Sequence, residues 1–204
     1  MAGIREERRE QIIQAAMTVF GKTGYHRSKI GEIAQEAEIG KSTVYEYFDS
    51  KKDLFEEMIR FIAKDYYEDV KEALDRGNSS REKLLSFAKD HGSFIKSHME
   101  LAENTMSDSA SVSLEIKKEM LGWKMKIFQL VEDVLQEGIK SGELRAGLDT
   151  GSATSVILGS INEGYAVQCV IGGKKPEDVD LEPVIDLIFT GMKASEQITS
   201  NNEQ

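Results

Sequence analysis

The 204-residue sequence predicts an all-α fold, and three observations carry that reading. Its only two prolines, Pro176 and Pro183, stand late in the chain, so most of it lacks the strongest helix breaker. Apolar residues recur at three- and four-residue intervals in one segment after another, the period of a helix with one buried face. An apolar content of 40% with 30% charged residues is ordinary for a helix-rich globular chain, and this length suffices to bury a real core.

The elements follow in order. Ile12, Ala16, Val19 and Phe20 place a first helix over Arg5 to Lys22, with Gly21 and Gly24 bracketing its end. A short second helix is expected over Lys29 to Ala37 with Ser28 as its N-cap and Ile30, Ile33, Ala34 and Ala37 turned inward. Glu38-Ile39-Gly40 breaks the pattern before a third helix, Lys41 to Phe48. Ser50 and Asp53 stand at the cap and third positions of a fourth helix running to about Leu74. Arg76 to Ser80 reads as a loop, Arg81 to Lys96 as a helix, and the polar stretch His98 to Ser111 as a short helix and a loop. A long amphipathic helix is expected from Val112 to Ile139, with Gly142 and Gly147 marking a turn after it. Two last helices, Thr150 to Ile171 and Leu181 to about Ser195, flank Gly172-Gly173-Lys174-Lys175-Pro176. The polar residues 199–204 read as a disordered tail. No internal repeat occurs.

Composition narrows the function. One cysteine, Cys169, cannot form an internal disulfide, which points to a reducing, cytoplasmic compartment. The first ten residues hold no apolar run of the signal-peptide kind. The most apolar stretch, 153–172, is broken by Ser155, Ser160, Asn162, Glu163 and Gln168, so it reads as a buried or interfacial helix and no membrane partner is expected. A net charge of −10 argues against nucleic acid until its distribution is read. Residues 1–52 carry nine basic and eight acidic groups, whereas the other 152 carry 17 and 28. The acid belongs to the part that would face away from a nucleic acid.

Residues 28–48 supply what a helix-turn-helix needs: two short helices, a tight turn, and a second helix able to enter the major groove. Ile30, Ile33, Ala34, Ile39, Val44 and Phe48 are its packing positions. Lys41, Ser42, Thr43, Tyr45 and Tyr47 give the last helix donors, acceptors and flat aromatic edges, the groups that contact phosphates and bases. Phe48 reads as core, and Tyr45 is open to either role. Arg5, Arg8 and Arg9 alternate with Glu6, Glu7 and Glu10, so pairs along the helix account for most of them.

Gly24-Tyr25, Ser28, Ile33-Ala34, Glu36-Ala37, Lys41-Ser42-Thr43-Val44-Tyr45-Glu46-Tyr47-Phe48, Ser50-Lys51 and Leu54 together resemble the DNA-binding domain of TetR/AcrR-family regulators, over about residues 9–55. The resemblance implies DNA contacts from Lys41, Ser42, Thr43, Tyr45 and Tyr47. It also implies a phosphate contact at Ser28, and at Lys51 a clamp made of helix terminus and ammonium. Two positions depart from the family pattern. Glu38 stands where a glycine is usual, at about 1 kcal/mol if its φ is positive. Gly40 replaces a serine cap.

The resemblance further implies a ligand-responsive repressor, homodimeric through the last two helices, on a palindromic double-stranded operator. Its division of labour is a DNA-binding domain at 1–50 and a helical ligand-binding and dimerisation domain at 51–198. Gly151, Ala153, Ser155, Gly159, Ser160 and Gly164 permit close helix approach, while Val184, Leu187, Ile188, Phe189 and Met192 give an apolar face. Phe87, His91, Phe94, His98, Met99, Met106, Met120, Trp123, Phe128, Asn162, Tyr165 and Cys169 are candidate walls for a small apolar or aromatic effector, or ordinary core. A drug-like compound and a fatty acyl group both suit them. His91 and His98 are seven apart, not the three or four a helical zinc pair needs, so no metal is expected. No catalytic or cofactor motif occurs, which leaves an enzyme using the cavity without support and sets activator against repressor as the open alternative.

Overall fold

A computed structural model of the chain describes residues 2–105 and 112–192. Among these residues there are eight α-helices and no strand: α1 Ala2–Arg27, α2 Ile30–Glu36, α3 Lys41–Tyr47, α4 Lys51–Asp75, α5 Ser80–Thr105, α6 Leu114–Lys140, α7 Thr150–Ala166 and α8 Glu182–Met192. The all-α expectation holds. No helix among the described residues is long and apolar enough to cross a membrane. Met106 and the tail 199–204 lie outside the described residues, as does the side chain of Met99.

The chain forms two compact units, one of Met1–Glu68 with Phe94–Met125, the other of Asp69–Ser93 with Lys126–Gln204. The helices α4, α5 and α6 contribute residues to both.

The first unit is built on α1. Ile12, Ile13, Ala16 and Phe20 are buried on one face of that helix, against Ile33 and Ala34 of α2, Val44 of α3 and Leu54, Phe55 and Met58 of α4. Phe20 and Phe55 meet edge to face with ring centroids 5.3 Å apart, the arrangement the ring quadrupole favours. Gly24 adopts φ 74°, ψ 163°, which interrupts α1 before its last residues. The break thus falls at the second of the two glycines, and α1 runs straight through Gly21.

Three boundaries differ from the sequence expectation for local reasons. The cap of α2 is Lys29, not Ser28; the Lys29 N–H donates to the Glu32 carboxylate at 2.9 Å, so the side chain three residues on closes the helix start. The helix α5 continues to Thr105 instead of ending near Lys96, and Leu101 packs against the first unit's core. Its polar residues 96–105 contain neither glycine nor proline to stop it. The α-helical part of α7 ends at Ala166 and Val167–Ile171 continue as a wider π-helical turn, in which the Gly172 N–H reaches the Val167 carbonyl at 2.9 Å.

The second unit uses side chains as helix caps. Glu143 accepts hydrogen bonds from the backbone of Ser80 at 2.8 Å and Arg81 at 3.4 Å, covering the start of α5 with negative charge. Asp149 caps α7 by accepting from the Ser152 N–H at 3.2 Å, and Ser152 holds the Asp149 carboxyl below its usual range. Arg81 reaches Asp186 at 2.6 Å and Glu182 at 2.9 Å, tying α5 to α8. Gly92 is required by close approach: a Cβ there would collide with the ring and hydroxyl of Tyr165, whose O–H donates to the Ala88 carbonyl at 3.0 Å.

Within the helix-turn-helix, Glu38 has φ 54°, a left-handed conformation that suits glycine. Glu38→Gly should therefore stabilise the protein by about 1 kcal/mol, read as a higher urea midpoint. An unchanged or lowered midpoint would show that the turn carries no strain.

Candidate DNA interface

The third helix has only seven residues, too few to be stable alone, and two buried side chains hold it. Val44 is fully buried and Phe48, its C-cap, is 2% exposed. With these turned inward, Lys41, Ser42, Tyr45 and Glu46 are exposed, and Thr43 and Tyr47 are half-buried. Tyr45 is 48% exposed, which resolves its open role: it is a surface residue and not core. The Lys41 ammonium lies 6.0 Å from the Tyr45 ring centroid, so cation and aromatic edge are presented together. Five of the predicted contact residues thus share one short helix. Glu46 shares its exposed side, and a carboxylate there can accept from a cytosine amino group.

Ser28 and Lys51 are placed differently from the expectation. Ser28 is 3% exposed and its hydroxyl donates to the Tyr25 carbonyl at 2.8 Å. The Lys51 ammonium donates to the carbonyls of Tyr25 at 2.7 Å, Ser28 at 3.0 Å and His26 at 3.4 Å, and sits 4.5 Å from the Tyr25 ring centroid. These carbonyls lie at the end of α1 and just beyond it, where backbone acceptors run out of helical partners. The ammonium is a clasp between α4 and the α1–α2 junction. Sequence spacing located Lys51 correctly but could not show that its three donors are spent internally.

The candidate effector residues separate by unit. In the second unit the Phe87 and His91 ring centroids are 6.2 Å apart and those of His91 and Tyr165 are 5.6 Å apart, with Asn162 in hydrogen-bond contact with His91. All three rings are buried, and burial pushes the His91 imidazole down to about 4, so it is neutral at pH 7. Cys169 is half-buried, with its thiol raised by burial, and Phe128 is half-buried too. In the first unit the Phe94 ring centroid is 4.2 Å from that of Tyr66 and 4.3 Å from that of His98, while Trp123 meets Tyr67 at a tilt, with centroids 5.4 Å apart. Met120 is half-buried on α6. No group of three or more metal-binding side chains occurs among the described residues.

Two measurements follow. Lys51→Met should destabilise the protein by about 2 kcal/mol by urea unfolding, since it strands backbone carbonyls. A normal midpoint with a lower salt slope of DNA binding would return Lys51 to the phosphate. For His91, the folded-state value lies below the ordinary 6.5, so the unfolded chain takes up its proton first as pH falls. The stabilising contribution is complete above pH 6.5 and is lost toward pH 4. Between pH 7 and pH 5 about 2 kcal/mol should disappear from the wild type but not from His91→Phe. Parallel stability–pH curves for the two proteins would sink the assignment.

Comparison with known proteins places this geometry. Residues 12–58 match the family described as bacterial regulatory proteins, tetR family, and residues 55–191 match the YsiA-like protein, C-terminal region. The chain is 29% identical over 183 residues to the fatty acid metabolism regulator protein of Bacillus subtilis (strain 168), covering 89% of this chain and 94% of that one. It is 28% identical over 153 residues to the HTH-type transcriptional repressor KstR2 of Mycolicibacterium smegmatis, covering 70% of each. Among solved structures, the transcriptional regulator FadR from Bacillus subtilis in complex with stearoyl-CoA has a TM-score of 0.71 at 28% identity, covering 90% of this chain and 98% of that one. The chain belongs to the TetR family of bacterial regulatory proteins, as a helix-turn-helix transcriptional regulator with a YsiA-like C-terminal region.

Proposed function

We propose that the protein is a homodimeric repressor that binds a palindromic operator and releases it on binding a long-chain acyl-CoA. The observation that carries this reading is the extent of the likeness. Identity of 28% runs through 90% of the chain to a regulator solved with stearoyl-CoA, so the effector half is included with the DNA-reading half. In this reading residues 1–50 read DNA, and 51–198 bind effector and dimerise.

Lys41, Ser42, Thr43, Tyr45 and Tyr47 contact the operator, with Glu46 beside them, and Lys51 and Ser28 shape the reader from behind. The neutral His91, beside Asn162 and Tyr165, offers a polar spot among apolar walls to the uncharged thioester or amide portion of the ligand. A buried neutral imidazole gives no ion pair to a free carboxylate, which favours the thioester over the fatty acid. For dimerisation, Leu187 is 77% and Val156 53% exposed beside an open groove of about 380 Å³ that also takes in Leu148, Ala153 and Ile188. Such a patch on a monomer is apolar surface in want of cover. A cytoplasmic location follows from the operator and the thioester.

The test is footprinting on DNA flanking the gene, with and without stearoyl-CoA, alongside a thermal-shift measurement. A protected palindrome, lost on adding stearoyl-CoA at concentrations that also raise the melting temperature, is the expected result. Protection that stearoyl-CoA leaves intact would overturn the effector, and no protected site at any salt would overturn the regulator reading. Protection with higher transcription from a reporter would make it an activator.

A further inference from the structure

Arg9 lies on α1, outside the helix-turn-helix, yet it touches the end of the reading helix. Its Cζ is 5.4 Å from the ring centroid of Phe48, the residue that caps α3, and one turn earlier Arg5 lies 5.8 Å from the Tyr47 ring. The charge of Arg9 is met mainly by Glu57 on α4, a close ion pair between residues 48 apart; its contact with Glu6 along α1 is longer, at 3.9 Å. The other oxygen of Glu57 accepts from Arg60 at 2.6 Å. Arg60 in turn forks onto Glu119 of α6, Nε to Oε2 at 2.7 Å and Nη2 to Oε1 at 3.1 Å. The Arg60 guanidinium holds the Glu119 carboxyl below its usual range. Charges alternate along this row, so each member is attracted to the next and none meets its like.

We propose that Arg9 is a positioning residue of the DNA reader, which fixes the carboxyl end of α3 through Phe48 and is itself held by the ion-pair row Glu57–Arg60–Glu119 that ends on α6. This rests on α3 being the reading helix. The planar guanidinium suits the role because it can stack on a ring while its edge stays hydrogen-bonded to a carboxylate. The row also gives the first half of α6 a route to α3 that avoids the helix-turn-helix core, since a shift of Glu119 withdraws support from Arg60 and so from Glu57.

The experiment measures binding of the full chain to its footprinted operator and to an unrelated duplex, each as a function of salt. Arg9→Met should lower operator affinity about tenfold and leave both the unrelated-duplex affinity and the salt slope as in the wild type, because position is lost and no phosphate contact is. Arg9→Lys should recover part of the loss. Glu119→Lys, on α6, should lower operator affinity about fivefold alone and add nothing to Arg9→Met, since the two act through one row. Should Arg9→Met fail to unfold cooperatively, Arg9→Lys and Glu119→Lys carry the same comparison. Unchanged operator affinity overturns the proposal. A loss shared equally by the unrelated duplex, with the slope reduced by about one, overturns it in favour of a direct phosphate contact. Additive effects of the two changes overturn the link to α6. A wild type that protects no operator condemns the regulator reading; normal protection with indifferent variants condemns this inference alone.

Discussion

A reading helix of seven residues cannot pay for its own nucleation, so its existence depends on what it buries. Two side chains do that work, Val44 at the centre and Phe48 at the end, each contributing about 2 kcal/mol by leaving water. Everything in the first unit can be understood as a means of presenting a wall to these two residues. The buried face of α1, the small Ala34 of α2 and the Leu54–Phe55–Met58 stripe of α4 form that wall. The exposed residues of α3 are then free to be chosen for chemistry, because none of them is needed for packing.

Part of the charge in this unit is engaged in holding the reader in place. Lys51 gives its donors to carbonyls at the end of α1, and Arg9 and Arg60 are consumed by Glu57 and Glu119. Of the basic residues of 1–52, Arg9 and Lys51 are engaged in this way, while Arg5, Arg8, Lys22, Arg27, Lys29, Lys41 and Lys52 are exposed. The exposed positive charge on the reading helix itself is Lys41, and its neighbours Ser42 and Tyr45 are neutral hydrogen-bonding groups.

The second unit solves a different problem, burying polar groups such as those of His91, Thr154 and Tyr165 in a helical core. Tyr165 reaches the Ala88 carbonyl only because Gly92 leaves room for its ring. His91 is kept neutral by the same burial.

The residues alone determined the helical class and the helix-turn-helix, because these depend on local periodicity, turn residues and the short spacing between Lys41 and Phe48. The departure of Glu38 from the family's usual glycine marked it as a misfit if its φ were positive, and its φ is 54°. The residues alone misjudged the cap of α2 and the end of α5, where Glu32 and the packing of Leu101 outweigh propensity. The partners of long side chains were beyond them. Lys51 looked like a phosphate clamp and Arg9 like a member of a helical pair, and only the tertiary structure showed the first bound to carbonyls of the α1–α2 junction and the second to Glu57. The reason is geometric: a lysine or arginine reaches across several ångströms to groups far away in the chain, so its partner is set by how helices pack and not by its sequence neighbours.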